Sequence, residues 1–578
     1  MDRILRIMTG VAAVFAVFCT FAVAHAEPLD TNFGEGTGTV IYDNGGDGLN
    51  QQAHAVTVDG SGNIYVVGAI EDEDSEFLTL KYDSAGNLLW ARTYYSGEND
   101  SGSEVASAVV VDEATGDVYV AGGDPDGYNF AVIKYDSNGN RYGDDDGGNP
   151  VGATPFGNYD TDGGGTYDVA LYWAWGYAYP HAMVRDDSGN LYVTGWEYDE
   201  DIWAQTIKLN SDGHQYGLSV DYDGNPFPTA VSAIPFGNDS AAFDFDETND
   251  VAWYGATGWE LAYDIALDPS SDVFYVSGES DFYPVVLKYD LNGHRYGDGD
   301  DPSPVSDTAY GTYDGDGNFI QDGAILDVSD GIFWGIAVDS SGNTLAAGYL
   351  DDETTYWTVR KFDSNGHIYG YDMTGDWGID NPNKATAFGD ADSDENGVND
   401  AIVFDDGAGI NQARAIAIDN TEGFFAVAGF YQDDEENTVV RTVKYAVSDG
   451  SELWSDTSFK TPPAPDYYEE FGIALGSIIV TATYDNGSDQ DVRVLKYTAP
   501  PEPDDNTTPS SSSSLSCFIT TAARGYAGTA GTTLGVFRER VLPVRPLILS
   551  IIALGLFAVF SKIDWRKTKK TEPHRVGS

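Results

Sequence analysis

Short runs of alternating or continuous apolar residues, broken by glycine-asparagine turns, set the rhythm of this chain. Ala53 to Asp59 (AHAVTVD) alternates small or apolar with polar residues, the period-two signature of a strand. Ile64 to Gly68, Phe77 to Tyr82 and Leu88 to Tyr94 supply three further β-rich runs. Gly62-Asn63 and Gly86-Asn87 separate them, and both residue types accept the positive φ that tight hairpins need. The pattern predicts four antiparallel strands joined by hairpins, which is the content of one propeller blade.

The same phrase returns at ASAVVVDEATGDVYVAGG, AMVRDDSGNLYVTGW, AYDIALDPSSDVFYVSGES and GIAVDSSGNTLAAGY, and more loosely at ARAIAIDNTEGFFAVAGF and FGIALGSIIVTATYD. A lysine followed by an aromatic or apolar residue closes the third run of every copy: Lys81, Lys134, Lys208, Lys288, Lys361, Lys444 and Lys496. Seven copies predict an all-β fold, a seven-bladed β-propeller of four-stranded antiparallel blades. The seventh copy runs from Lys496-Tyr497 into TAPPEPDD, whose prolines cannot pair in a sheet. A spare strand lies at the other end, Gly38 to Asp43 (GTVIYD), ahead of the first copy. We expect it to become the outer strand of the last blade, closing the ring and removing exposed sheet edges.

These repeats resemble the bacterial seven-bladed propeller repeat (SBBP) family, and LDTNFG at Leu29 to Gly34 resembles the related delta-60 repeat. The resemblance spans roughly Leu29 to Tyr497 and implies the fold. That family is defined by its repeat, so no catalytic residue transfers from it.

Charge and the two termini place the propeller. Asp and Glu number 94 against 29 Lys and Arg, a net charge of −65, which excludes nucleic-acid binding because that needs a basic footprint. Arg3 and Arg6, the apolar stretch Val11 to Val23 and Ala24-His25-Ala26 read as a signal peptide over 1–26. The propeller is expected over 27–499, without disulfides, since only Cys517 remains besides Cys19 in the leader. Residues 500–516 (PPEPDDNTTPSSSSSLS) have the composition of a linker. Cys517-Phe518-Ile519, Thr521-Ala522-Ala523, Gly525-Tyr526 and Phe537 to Arg540 resemble the CFI-box tail of bacterial surface proteins over 517–545, with Thr520 and Arg524 as departures. Cys517 is then a candidate processing or modification point. Leu547 to Phe560 is apolar and precedes Lys562, Arg566, Lys567, Lys569 and Lys570, so 546–578 is expected to hold a C-terminal hydrophobic helix, a transmembrane or sorting segment with a cytoplasmic basic end.

The repeat lysines are spaced 53, 74, 80, 73, 83 and 52 residues apart. Short intervals fit a bare blade, so the long ones carry inserts, and four of these open on Tyr-Gly at Tyr142, Tyr216, Tyr296 and Tyr369. Three inserts hold an acidic set in register after a glycine. Gly157 precedes Asp160, Asp162 and Asp168; Gly311 precedes Asp314, Asp316 and Asp322; Gly389 precedes Asp392, Asp394 and Asp400. Asn318 and Asn396 stand at the fifth position of their loops and Gly397 at the sixth, so DSDENGVND resembles an EF-hand calcium loop without its helices. Calcium (Ca2+) is the cofactor these loops imply, bound modestly because the bidentate Glu at position 12 is missing. The second insert keeps only Asp244 and Asp246 of the spacing, followed by Thr248 and Ala252. The competing reading is that Asp-Gly-Asn segments are solvated turns.

Other chemistry is thin. His214, His294 and His367 share one slot in the turn after the third strand, as repeat residues rather than a metal cluster. His54 and His181 fall on or beside inner strands and are candidates to face the central channel, where propeller enzymes work, though two histidines without a partner constellation carry little weight. Trp175, Trp259 and Trp334 stand before inner strands and are expected to pack between blades, with sugar stacking as the alternative. The chain reads as an exported propeller at the cell surface or in the periplasm, anchored by its C-terminal segment. It is expected to serve as a binding or structural scaffold for a protein or glycan ligand. The alternative is a propeller enzyme, a polysaccharide lyase or hydrolase acting at the channel mouth.

Overall fold

A computed structural model describes residues 29–497 apart from 45–47, 72–74, 96–103, 124–128, 145–148, 162, 174–175, 200, 219–228, 238–250, 255–258, 269, 299–302, 306, 312–320, 326–329, 353, 373–380, 395, 406–409, 433–437, 462–470, 476–477 and 486–489. The expected signal peptide, linker, CFI-box-like tail with Cys517, and C-terminal helix lie outside the described residues. Among the described residues no helix is long and apolar enough to cross a membrane.

Seven four-stranded antiparallel sheets follow one another along the chain. Their first strands are Asn50–Val58, Val105–Val111, Tyr177–Arg185, Glu260–Leu267, Asp330–Val338, Asn411–Asp419 and Phe471–Ala474, which number the blades one to seven. Each first strand touches the first strands of both neighbouring blades, and the seventh touches the first. These strands therefore form the inner ring of a seven-bladed propeller. Blade one continues through Ile64–Glu71, Ser75–Tyr82 and Leu88–Tyr94, as the alternation predicts. Blade seven is completed by Thr39–Tyr42, which pairs antiparallel with Gln490–Lys496 in the register Thr39 to Leu495 and Tyr42 to Val492. The expected closing strand is thus present, and a bridge from Leu29 to Tyr497 extends it.

The core is divided among the blade-to-blade seams. One seam joins Tyr65, Phe77 and Trp90 of blade one to Val109, Val118 and Ile133 of blade two. The repeat lysine locks such a seam from its rim. Lys81 Nζ donates to Ser137 O in the next blade's turn (3.0 Å), and Lys208 does so to Leu291 O (2.8 Å) and Lys288 to Ser364 O (2.8 Å). Lys134 and Lys361 repeat the contact with Ser211 O and Val447 O, and Lys496 returns it to Ser84 O of blade one (2.8 Å). A buried ammonium needs compensation, and the tyrosine opposite it supplies a second partner: Lys81, Lys134 and Lys208 lie over the rings of Tyr65, Tyr119 and Tyr192. Burial pulls the Lys208 and Lys288 ammonium groups below the usual lysine range.

A second clasp comes from the inserts, which sit between the third and fourth strands of blades two to five. Each presents a buried aromatic residue followed by glycine: Phe156-Gly157, Phe236-Gly237, Tyr310-Gly311 and Phe388-Gly389. The glycine N–H donates to the next blade's turn, Gly157 to Asp212 O, Gly237 to Asn292 O, Gly311 to Asn365 O and Gly389 to Asp449 O, all at 2.7–2.8 Å. Phe33-Gly34, within LDTNFG, does the same to Ala85 O of blade one (3.0 Å), with Phe33 fully buried. The N-terminal segment is therefore the insert and outer strand of blade seven, transposed to the start of the chain.

Candidate functional site

Six of the seven inner strands carry a register shift where one extra residue faces the second strand. The residue left over is His54, Ser107, His181, Tyr263, Trp334 or Arg414, in blades one to six. The sequence cause lies opposite, in the glycine that ends each second-strand motif. A Cβ on Gly68, Gly278 or Gly348 would stand only 1.8–1.9 Å from the carbonyl oxygens of Gln52, Leu261 or Ile332. Only glycine admits the bulged backbone this closely. Blade seven shows the converse: Ala482 occupies the glycine position, and Phe471–Ala474 pairs with Ile479–Ala482 without a shift.

Four of these bulge residues form a continuous arc across blades three to six. The His181 ring lies 5.0 Å from Tyr263, Tyr263 lies 4.1 Å from Trp334, and the Arg414 guanidinium lies 4.0 Å over Trp334. His181 Nε2 accepts a hydrogen bond from Trp196 Nε1 (2.9 Å), so this nitrogen's lone pair is occupied. Trp334 thus lies within an inner strand and serves the arc, whereas the sequence placed it ahead of that strand. Trp175 lies outside the described residues. His54, whose Nε2 approaches Gln52 Oε1 (3.4 Å), takes the position equivalent to His181 two blades away.

Two carboxyl groups beside the arc titrate unusually. Glu279, on the second strand of blade four, is pushed up to about 7 by burial and then by Asp330, against a hydrogen bond from the Phe282 backbone. Asp264, the residue after the Tyr263 bulge, is also pushed up to about 7. Burial causes that rise, and hydrogen bonds from the backbone N–H groups of Ile336 and Ile265 oppose it. The corresponding residues of the other bulges are Ala55, Ala108, Ala182, Gly335 and Ala415. Asp264 is the exception, and its carboxylate bonds the neighbouring inner strand.

Exposed aromatic side chains gather on the rim above this arc. Tyr177 and Tyr198 are cross-strand partners in blade three, as are Tyr179 and Trp196. Tyr179 packs 4.4 Å from Trp196 and stays 42% exposed. Ile202 faces Tyr198 across the outer hairpin and bridges to Trp259 of blade four, whose ring lies 6.0 Å from Phe282. Trp259 and Phe282 are 50% and 54% exposed. Trp259 thus stands at the seam between blades three and four, as the sequence suggested, but with its ring half exposed rather than buried in it. These residues carry no periodic signature, so only the packed structure reveals them as a group.

The acidic inserts have a different geometry. Asp168 and Asp322 are fully buried and ion-paired to Arg141 and Arg295, the residues just before the Tyr-Gly pair of their inserts. Asp400 is equally buried and pairs with Arg360 Nη1 at 3.0 Å. In blade five the Tyr-Gly neighbour is Ile368, and the cation comes from the third strand, where blades two and four have Ile133 and Leu287. Cation and aliphatic residue have exchanged places. Asp168 also accepts Thr161 N and Oγ1, and Asp400 accepts Ser393 N and Oγ. Burial raises the Asp168 carboxyl, while Arg141 opposes the rise.

In the two sets whose first carboxylate is described, it caps its own turn. Asp160 accepts the N–H groups of Gly163 and Gly165, and Asp392 those of Asn396 and Gly397. Asp394 accepts Asn396 N and Nδ2 and Asp372 N. Asp162, Asp314, Asp316 and Asn318 lie outside the described residues. Among the described residues no three His, Cys, Asp or Glu side chains converge on one point. The second insert is two residues longer between its glycine and its outer strand, so Asp250 rather than Ala252 is the sequence counterpart of Asp168, preceding Val251 as Asp168 precedes Val169. His214, His294 and His367 each donate their backbone N–H to the Asx side chain that opens their turn. A cleft of about 330 Å³ lined by Arg92, Tyr135, Arg141 and Asn149 lies on the outer side of blades one and two. The Arg92 guanidinium there is held by the carbonyls of Ala91, Asn138 and Gly139.

Comparison with models of known families gives no match, and comparison with curated proteins gives none. Among solved structures the chain is similar to the β-propeller domain of the Trilobed protease from Pyrococcus furiosus, at 8% identity and TM-score 0.34, over 78% of this chain and 100% of that one. It is similar to the polysaccharide lyase Uly1 at 10% identity and TM-score 0.38, over 82% and 94% of the two chains. The Dos1 propeller matches at 11% identity and TM-score 0.35, over 78% and 93%. None of these likenesses bears on activity; the seven-bladed architecture rests on the strand pairing of this chain itself.

Proposed function

We propose that this protein is an exported, membrane-tethered propeller that works as a binding scaffold, offering the rim of blades three and four to a partner at the cell surface. The observation that carries this reading is the concentration of exposed aromatic rings there. The bulge arc beneath supports it as a rigid base, because His181, Tyr263, Trp334 and Arg414 hold one another in place. The signal-peptide pattern over 1–26 supports export, and the apolar and basic segment near the C-terminus supports tethering. In intact cells making the full chain, protease added outside should remove the propeller while a cytoplasmic marker survives. Protection of the propeller would end the surface reading. A propeller lyase or hydrolase at the same mouth is the second reading, favoured by Glu279, a carboxyl titrating near neutrality beside the arc.

Calcium is a separate proposal, confined to the outer ligands of the inserts: Asp392, Asp394 and Asn396 in blade five, with Asp160 and Asp162, and Asp314, Asp316 and Asn318, as the counterparts. Asp168, Asp322 and Asp400 are committed to arginines, so the ions would be held weakly, as suits extracellular calcium. The purified protein should melt a few degrees higher in calcium than in chelator. An unchanged melting temperature removes the proposal.

A further inference from the structure

Among the described residues, twelve large apolar side chains are well exposed, and five of them, Tyr177, Tyr179, Tyr198, Trp259 and Phe282, lie in the one strip on the rim of blades three and four. All five are aromatic. The strip is continuous in the fold: Tyr177 pairs with Tyr198, Tyr198 with Ile202, Ile202 bridges to Trp259, and Trp259 meets Phe282. At about 4.8 Å per strand step it runs for about 20 Å, and Tyr179 stands two residues along the strand from Tyr177.

Its far end is held in a backbone conformation that side chains disfavour. Asp281 and Phe282 form the two-residue turn between Ser280 and Tyr283, with φ of 49° and 74°. Such turns favour Gly or Asn, and a phenylalanine there carries steric strain. The turn is over-determined by its neighbours. Asp281 N donates to Trp259 O, Trp259 N donates to Asp281 Oδ1, and Gly331 N donates to Phe282 O. The strain fixes a ring that is half exposed, so neither burial nor turn preference explains its presence.

We infer that this strip binds an uncharged oligosaccharide, stacking successive sugar rings on Tyr179, Tyr198, Trp259 and Phe282. The inference rests on the surface-binding reading and names its ligand. Flat rings spaced along a line fit the C–H faces of a linear saccharide, and a preset platform spares the ligand an ordering cost. Charge narrows the class. With a net charge of −65 the protein repels polyanions, and the residues that make up the strip, Tyr177, Tyr179, Tyr198, Ile202, Trp259 and Phe282, include no Lys or Arg. Recognition of hydroxyl and C–H groups is then the chemistry left.

The test uses the purified full chain on an array of neutral gluco-, manno-, xylo- and galacto-oligosaccharides and chitooligosaccharides, beside alginate and heparin, followed by calorimetry on the probes bound. Binding of a neutral probe is expected, with Kd roughly unchanged between low and high salt. Tyr179→Ala and Trp259→Ala should each weaken it about tenfold at an unaltered melting temperature. Phe282→Gly should weaken it while raising the melting temperature, because it relieves the strained turn. Silence of every neutral probe, binding of the polyanions alone, or indifference to all three substitutions overturns the inference. Capture of a cell-surface protein that Trp259→Ala abolishes, with the neutral array empty, overturns the saccharide and leaves the surface scaffold standing.

Discussion

Replacing Arg360 by methionine should cost about 3–5 kcal/mol of stability, read as a drop in the urea midpoint at unchanged slope. Arg360 and Asp400 both lie fully inside the protein, 3.0 Å apart, with Ser393 bonded to each. Removing the cation leaves a carboxylate that water cannot reach, and that uncompensated charge makes the loss large. Blades two and four indicate how to restore it. There the cation stands beside the Tyr-Gly pair, at Arg141 and Arg295, and an aliphatic residue takes the strand position. The double variant Arg360→Leu with Ile368→Arg recreates that layout and should recover most of the loss. If the single variant is as stable as the parent, or the double variant no better than the single, the exchanged pair is not what holds the insert.

Deleting Leu29 to Tyr42 should have a comparable or larger effect. The segment supplies the outer strand of blade seven, the Gly34 bond to Ala85, and the fully buried Phe33. Truncating a buried phenylalanine alone costs about 3–5 kcal/mol, so Phe33→Ala is the gentler version of the same test. The deletion also uncovers Gln490–Lys496 as a free edge, which invites pairing between molecules. The expected result is aggregation on size-exclusion chromatography and loss of the cooperative melting transition. A monomer with parental melting behaviour would show that the ring does not depend on this closure.

Much of the scaffold was legible in the residues. Period-two runs, glycine-asparagine turns and the returning lysines specify strands, blades and their number, because each blade repeats the same packing problem. The closing strand was legible because the seventh copy lacks a partner and Gly38 to Asp43 lacks a blade. The lysine's task was not legible. Its acceptors, such as Ser137 O for Lys81, are backbone carbonyls in another blade, and a carbonyl leaves no trace in a sequence. Gly68 and its equivalents were visible as a motif, but the bulge that requires them depends on the neighbouring strand. The aspartates in register had two readings with the same spacing, metal ligand or ion-pair partner. Arg141 lies 27 residues from Asp168, and the blade-five cation comes from a different element, so spacing alone could not reveal the pairs. The aromatic strip was the least legible part, since Tyr179, Tyr198, Trp259 and Phe282 come from four different strands or turns and meet only at a seam between blades.

The transposed N-terminal segment also sets an order of events in the life of the chain. Thr39 and Leu495 are paired across 456 residues, and closing so long a loop costs about 4 kcal/mol more than closing a hairpin. Such a contact forms late, after the local hairpins of the first six blades. The ring cannot lock until Gln490–Lys496 has been made and reaches Thr39–Tyr42. Until that pairing forms, the chain is an arc whose last blade lacks its outer strand. It becomes a closed ring only when its first and last strands meet.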